Sequence, residues 1–427
     1  MGYAQEEAAK EKAEAAEAYE CEERPCHARA GAGREIRMAV HPAAAFEGLR
    51  QDLSWGRQGM TISLLWIHRF VVPHECMQYS MPSERNLYVG WRALHGSERD
   101  VRAFARPRVV VSRCLGFDHC RWNGDMITSE VVQMITPRVD FLPVCAEVEI
   151  GLGVPRKPVR FVEGENGIRL VQHETGLDVT GRMERFAASF AGTLREIDGF
   201  LLKSRSPSCG IRDVKVYRAG GTGDTVGKTA GAFAAAMAAR FPNLPAEDEG
   251  RLRNRRIREH FLTRLFTFAA FREVRAGGDL RELAAFHTRN KLLLMAYSQK
   301  EMRELGRIAA NPDKKTFPGV AGEYGDHLNA ALSRAPRYTA HINVLLHALG
   351  RFKAGISPAE KTFFLDTLEQ YRQDRVTICP NLMILRGWIV RFGDDYLREQ
   401  TFFSPFPAEL MGVSQDLSHS QRDYWVK

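Results

Sequence analysis

The sequence predicts an α/β fold built on a mainly parallel sheet, followed by an all-α part. Three observations carry that prediction. Continuous apolar runs at Val109–Val111, in "VDFLPVC" and in "IDGFLLKS" read as strands buried on both faces. Helix-like stretches separate these runs, and alternation of strand and helix is the pattern of a parallel sheet. From about Arg251 onward the apolar residues recur with helical period and no further strand run appears.

In chain order, residues 1–106 stand apart. An Ala/Glu-rich segment gives way to "CHARAGAGRE" and then to a stretch in which neither period persists. We expect a disordered extension there, or a start placed upstream of the true one, and leave Cys21, Cys26 and Cys76 out of any site. Residues 107–245 form the α/β part. The first strand ends in a polar turn carrying Cys114, Gly116 and Cys120. A helix-like stretch, Ser129 to Met134, leads to the second strand, which ends at Cys145. The Gly/Pro-rich "EIGLGVPRKPVRFV" reads as a loop, followed by a short strand near Ile168 to Val171. A long helix begins after Thr180, the third strand run leads to Cys209, and "GKTAGAFAAAMAARF" closes a Rossmann-like order. Pro242, Pro245 and "AEDEG" read as a linker.

Residues 250–410 are expected to be all helix. Ser357 before "PAEK", with Glu360 three positions on, is the signature of a capping box. Residues 411–427 read as a polar tail, and no internal repeat of fixed period is visible.

The chain has 427 residues, 44% hydrophobic and 26% charged, which fits a soluble globular protein of more than one core. No stretch has the length of a membrane span, and the acidic, alanine-rich N-terminus lacks a signal-peptide pattern. A cytoplasmic location is therefore expected, where cysteines are free, metal-binding or catalytic rather than disulfide-bonded. The net charge of +8 favours a polyanionic partner over a basic one.

Cys114, Cys145 and Cys209 each follow a predicted strand. In a parallel sheet, loops after the strands meet at one edge, where ligands collect. Three thiolates from separate loops suit an iron–sulfur cluster with one iron left open. They also suit a structural zinc, and inert buried thiols remain the plain alternative, because no CxxC pair is present.

The strings "VVVSRCLGFDHCRWNG", "PVCAEVEIGLGVPRKPVR" and "LLKSRSPSCGI" resemble, in order and spacing, the three signature segments of the thiouracil/tRNA 4-thiouridine desulfidase family. The helical remainder, with "FHTRNKLLLMAYSQKEMRELGRI", resembles the YbgA-type domain often fused to it. The resemblance spans about Arg108 to Leu410. Trp122-Asn123 replaces the usual aromatic–acid pair, Ala146 replaces a proline, and Ile150 replaces the first glycine of a pair.

The resemblance implies a [4Fe–4S] cluster held by Cys114, Cys145 and Cys209, with Cys120 a neighbour rather than a ligand. It implies non-redox removal of sulfur from 4-thiouridine in tRNA: an open iron polarises the C–S bond, water attacks, and sulfide leaves. Glu147 is then the general base or water-positioning group, with a structural carboxylate pairing Arg156 as the plain alternative, and Ser206 a hydroxyl that bonds the base or shuttles a proton, with a turn-forming serine as the plain alternative. Free thiouracil-type bases are the alternative substrate, and a non-catalytic iron–sulfur RNA-binding protein is the alternative class.

Lys203 and Arg205 read as neutralising the cluster or a phosphate. The run "RLRNRRIREHFLTR", with Arg255 and Arg256, reads as an RNA-facing helix start, and His287 with Lys291 share a helix face by their spacing. Solvated charge and a satisfied core histidine are the plain readings of these groups. "GGTGDTVGKTAG" is no phosphate loop, since Thr222 stands where the first glycine is required.

Overall fold

The computed structural model describes residues 103–165, 167–220 and 223–411, all within one compact unit. The readings of residues 1–102 and of the tail from 412 lie outside the described residues.

Four parallel strands form the first sheet in the order β2-β1-β6-β9, with β1 Arg108–Ser112, β2 Asp140–Val144, β6 Gly199–Leu202 and β9 Ala246–Asp248. Val109, Val110 and Val111 of β1 pair in register with Phe141, Leu142 and Pro143 on one side and Gly199, Phe200 and Leu201 on the other. All three valines are fully buried, which is why the run is apolar without alternation.

Strand β9 corrects the expected linker. "AED" reads as hydrophilic connection, yet it pairs in parallel with Phe200–Leu202, and the Pro245 carbonyl accepts the Phe200 N–H. A short edge strand needs little apolar surface, so it carries no strand pattern.

A second sheet was not anticipated. Its order is β5-β4-β3-β7-β8, with β3 Val159–Gly164, β4 Gly167–Gln172, β5 Leu177–Asp178, β7 Val214–Tyr217 and β8 Thr225–Thr229. Only β3 and β7 run parallel; the other pairs are antiparallel. The presumed loop thus contains β3, and the glycine-rich "GGTGDTVGKTAG" supplies β8 of a hairpin.

Between the sheets lie helices α3 (Thr180–Thr193) and α4 (Ala232–Arg240), burying Met183, Phe233 and Met237 against Val110, Phe200, Phe161 and Leu170. Helix α1 (Glu130–Ile135), capped by Ser129, and the four-residue α2 (Ala146–Glu149) complete this part.

The helices that follow are α5 Arg255–Gly277, α6 Leu280–Tyr297, α7 Gln299–Ala310, α8 Phe317–Ala331, α9 Tyr338–Leu349, α10 Pro358–Arg372, α11 Cys379–Phe392 and α12 Asp395–Glu399. The capping box at Ser357 and Glu360 is present. Helix α5 lies on the far face of the parallel sheet, where Phe261, Leu262 and Leu265 pack against Val109, Val111 and Leu201. The approach is close enough that a Cβ on Gly199 would meet Leu265 Cδ2 at 2.5 Å and Pro245 O at 2.8 Å, so glycine is required there. A buried Arg272–Asp198 ion pair at 3.2 Å ties the same helix to the segment before β6.

Candidate active site

Because the four strands of the first sheet run the same way, their carboxyl ends share one edge. Loops leaving that edge line a cavity of about 710 Å3. Cys114 and Cys120 come from the loop after β1, Cys145 directly follows β2, Cys209 follows β6, and Asp248, Gly250 and Arg251 close the rim after β9. The edge expected from the sequence therefore brings Cys114, Cys145 and Cys209 to one cavity.

Each thiol is set by local backbone bonding. The Cys114 carbonyl accepts Ile127 N at 2.8 Å, and the Cys145 carbonyl accepts the first N–H groups of the α2 turn, from Val148 at 3.1 Å and Glu149 at 3.0 Å. The Cys209 turn is held against the start of α4. Pro207 O and Ser208 O accept the otherwise unpaired Ala232 and Ala234 N–H groups at 2.9 and 3.1 Å. Two glycines make that approach possible. A Cβ on Gly231 would meet Ser208 O at 2.5 Å, and one on Gly210 would meet Val214 Cγ2 at 2.6 Å.

A charged network joins all the cysteine loops. Arg156 donates from Nε and Nη2 to Glu147 Oε2 at 2.9 and 2.6 Å, and from Nη1 to Cys120 O and Gly153 O at 3.0 Å each. Ser208 Oγ donates to the other oxygen, Glu147 Oε1, at 2.9 Å. Glu147 therefore lines the cavity with both oxygens engaged, and the Arg156 pairing considered from the sequence is present.

Ser206 also lines the cavity. Its Oγ accepts Cys209 N at 3.1 Å and Ser208 N at 3.3 Å, and its hydroxyl, together with that of buried Ser112, bonds the Cys209 sulfur. Ser112, Ser208 and Arg156 are members that sequence reasoning missed or left as mere partners. A serine closing β1 and a second serine in "SPSCG" were the available signals.

The thiols are free and mutually close. Cys120 is in hydrogen-bonding contact with both Cys114 and Cys145, and the Cys114 contact, with burial, pushes its thiol up to about 11. The Cys120 contact and then burial push Cys145 far above the ordinary thiol range. Burial pushes Cys209 up to about 12, against hydroxyl donation from Ser112 and Ser206. Cys120, Cys145 and Cys209 thus hold their protons at neutral pH and become thiolates when a cation compensates the charge.

An all-sulfur donor set suits zinc or an iron–sulfur cluster. Among the described residues no three His, Cys, Asp or Glu side chains stand at the spacing a single ion needs. Zinc draws its thiolates to about 2.3 Å from one centre, whereas a multi-iron cube holds them farther apart. The chemistry of the donor set fits an iron–sulfur cluster as well as it fits zinc.

The rim is basic. Lys203 Nζ pairs with Glu249 Oε1 at 2.5 Å and with Ser204 Oγ at 2.8 Å, so its charge is committed within the protein. Burial would raise the Glu249 carboxyl, but bonds from Lys203 and Ser204 hold it below the usual carboxylate range. Arg113 pairs with Glu149 at 2.5 Å and Arg251 with Glu247 at 2.7 Å. Arg205 and Arg212, both exposed on the cavity lining, have no ion pair among the described residues, and Trp122, 45% exposed, belongs to the same lining.

The remaining candidates lie elsewhere. Arg255 bonds Glu259 and the Cys379 sulfur, and exposed Arg256 bonds Pro336 O. His287 Nδ1 meets Tyr324 OH at 3.2 Å between helices, and Lys291 is exposed on α6. None of the four lines the thiol cavity.

An α/β protein with a thiol-lined cavity at the carboxyl edge of its parallel sheet, extended by packed helices, is the class so defined. Residues 109–249 match the family model of the 2-thiouracil desulfurases, and residues 291–407 match a model described as a protein of unknown function, DUF1722. The chain belongs to the 2-thiouracil desulfurase family and carries the second domain after it.

The uncharacterized protein YbbK of Bacillus subtilis (strain 168) is 32% identical over 109 residues, which are 24% of this chain and 72% of that protein. The uncharacterized protein YbgA of Escherichia coli (strain K12) is 26% identical over 157 residues, 36% of this chain and 93% of that protein. A solved structure titled as a [4Fe-4S]-dependent thiouracil desulfidase, TudS, is 28% identical, covers 34% of this chain and 93% of its own, and superposes with a TM-score of 0.28.

Proposed function

We propose that the protein is a non-redox desulfidase, dependent on a [4Fe–4S] cluster, that replaces the sulfur of 4-thiouridine in tRNA with oxygen. The observation that carries this reading is the convergence of Cys114, Cys145 and Cys209, from separate strand ends, on one cavity. A cluster held by these three supplies an iron without a protein ligand, a Lewis acid for thiocarbonyl sulfur.

The chain's own residues do the rest. Arg156 holds Glu147 in place, and Glu147 positions water through Oε1 and takes its proton, with the Ser208 hydroxyl as the adjoining donor. Ser112 and Ser206 donate to the Cys209 sulfur and stabilise it as a thiolate. Trp122 offers a ring face on which a pyrimidine stacks, and Arg205 and Arg212 offer guanidinium groups to the flanking phosphates. A free base would leave those two cations unused, which favours a polynucleotide substrate.

The test is anaerobic reconstitution with iron and sulfide, followed by incubation with thiolated tRNA and, separately, with free 4-thiouracil. Loss of thiocarbonyl absorbance with tRNA is expected, at a rate that falls steeply as salt rises. Turnover of the free base alone would assign the protein to small thiolated bases. Binding of RNA with turnover of neither would make it a non-catalytic iron–sulfur protein.

A further inference from the structure

A second cavity, of about 250 Å3, lies wholly within the helical part, among α5, α6, α9, α11 and the segment 402–408. Its walls are apolar and largely aromatic, with Leu293, Ile378, Leu382, Phe402, Phe403 and Phe406 among them. Into this lining are set two histidines, each backed by a tyrosine hydroxyl. His260 Nδ1 meets Tyr297 OH at 3.0 Å, and His341 Nδ1 meets Tyr371 OH at 2.9 Å.

Burial, with Arg264 beside one ring and Arg256 beside the other, lowers each histidine to about 4, so both are neutral at physiological pH. With Nδ1 committed to tyrosine, the Nε2 edge of each ring has no partner among the described residues. Whichever tautomer is present, that edge offers one donor or one acceptor. The charged lining is two exposed guanidinium groups, Arg256 and Arg386, and the Glu259 carboxylate, which is already paired with Arg255 at 2.7 Å. Among the described residues Arg256 has only a long hydrogen bond, to Pro336 O at 3.3 Å, and Arg386 has no ion pair or hydrogen bond.

Flat apolar walls, two neutral hydrogen-bonding edges and two unspent cations are complementary to a planar heterocycle with polar edges and an anionic substituent. The volume, about a third of that of the thiol cavity, admits one ring system with its substituent. From this we infer that the cavity is a binding site for a pyrimidine nucleoside monophosphate unit. The ring lies between the aromatic walls with its polar edge on His260 and His341, and the phosphate lies on Arg256 and Arg386. The site is independent of the sulfur chemistry. It also has a covalent link to the thiol cavity, since Arg251 lines one and Arg256 the other, on the same short stretch of chain.

Calorimetric titration of the full chain with uridine 5′-monophosphate, with uracil, with inorganic phosphate and with a uridylate trinucleotide tests the site. Saturable binding of the monophosphate is expected, with uracil and phosphate each weaker by about tenfold or more. In the Arg256→Gln/Arg386→Gln double variant, both changes being at exposed side chains, monophosphate affinity falls about tenfold or more. In Arg182→Gln/Arg185→Gln, exposed on α3 and on neither cavity, it is unchanged. His341→Phe, which keeps the ring and removes the polar edge, weakens the monophosphate but not inorganic phosphate. A trinucleotide that binds tighter with the same arginine dependence identifies an RNA unit as the source, and equal affinity identifies the free nucleotide. No monophosphate binding, binding indifferent to Arg256 and Arg386, or binding lost instead with Arg182 and Arg185 overturns the proposal.

Discussion

Arg156 and Glu147 form a nearly water-free pair, with side chains 4% and 12% exposed, in which two guanidinium nitrogens converge on a single carboxylate oxygen. The third guanidinium nitrogen reaches the Cys120 and Gly153 carbonyls, and Ser208 takes the remaining carboxylate oxygen. One pair thereby fixes the mutual positions of the loops after β1, β2 and β6, which carry the thiols.

Removing Arg156 leaves the buried Glu147 carboxylate without its cation, and Glu147 Oε2 and two carbonyls without that donor. Arg156→Ala is expected to lower stability by roughly 3–5 kcal/mol, as for breaking a buried pair from one side, and to reduce iron retained after reconstitution. Urea denaturation and iron analysis read the two effects. Wild-type iron content in a destabilised Arg156→Ala protein would show that the pair does not position the thiols.

Glu147→Gln keeps the shape and most hydrogen bonds but removes the negative charge. Turnover of the thiolated substrate is expected to fall by about a hundredfold or more, the usual contribution of a positioned base. Iron content and the cluster's visible absorbance should stay at the wild-type level. A variant of normal turnover would leave Glu147 with a purely structural part.

The proposed function divides the four thiols of the cavity by role. Single changes of Cys114, Cys145 or Cys209 to alanine are expected to abolish the brown absorbance of the reconstituted protein, whereas Cys120→Ala retains most of it. Iron-to-protein ratios check the division. A colourless Cys120→Ala alongside a brown Cys114→Ala would exchange those two residues as ligands.

Much of this arrangement could be foreseen from local pattern. The valine run of β1, the runs before Cys145 and Cys209, and the direction of a parallel sheet suffice to put the thiols on one edge. Strand β4 was expected near Ile168 to Val171, but the sheet around it escaped notice because β3, with "VRFVEG", interrupts its apolar residues with charge, and β8 with "TVGKT" is exposed along almost its whole length. Strand β9 is three residues long and acidic; Arg251 pairs with its Glu247, and Lys203 with Glu249 just beyond its end. Arg156, Ser112 and Ser208 act through contacts between loops far apart in sequence, and no spacing rule encodes such contacts.

Gly231 serves the site without touching substrate. Because a Cβ there would meet Ser208 O, Ser208 C and Cys209 N at 2.5, 2.6 and 2.9 Å, Gly231→Ala is expected to cost about 1–3 kcal/mol by forced repacking. The same shift moves the Cys209 turn, so iron retention should fall while Gly227→Ala, in open space, leaves both unchanged. Thermal unfolding with iron analysis of the two variants checks the contrast.

The Lys203–Glu249 pair makes stability depend on pH. The folded Glu249 carboxyl ionises below its unfolded range, so its contribution is complete above about pH 4.3. It is lost as the pH falls through the lower folded value. The difference in stability between wild type and Glu249→Gln should therefore be largest at neutral pH and shrink in strong acid. A difference constant from pH 7 to pH 3 in denaturant titrations would contradict this.

The seating of Leu265 over Gly199 bears on how this chain can be cut. A fragment ending at Gly250 would bare Val109, Val111 and Leu201 to water along the whole back of the parallel sheet, inviting aggregation rather than a smaller working enzyme. An excised desulfurase half must take α5 with it, and the boundary suited to recombination or expression falls after Gly278, where that helix ends.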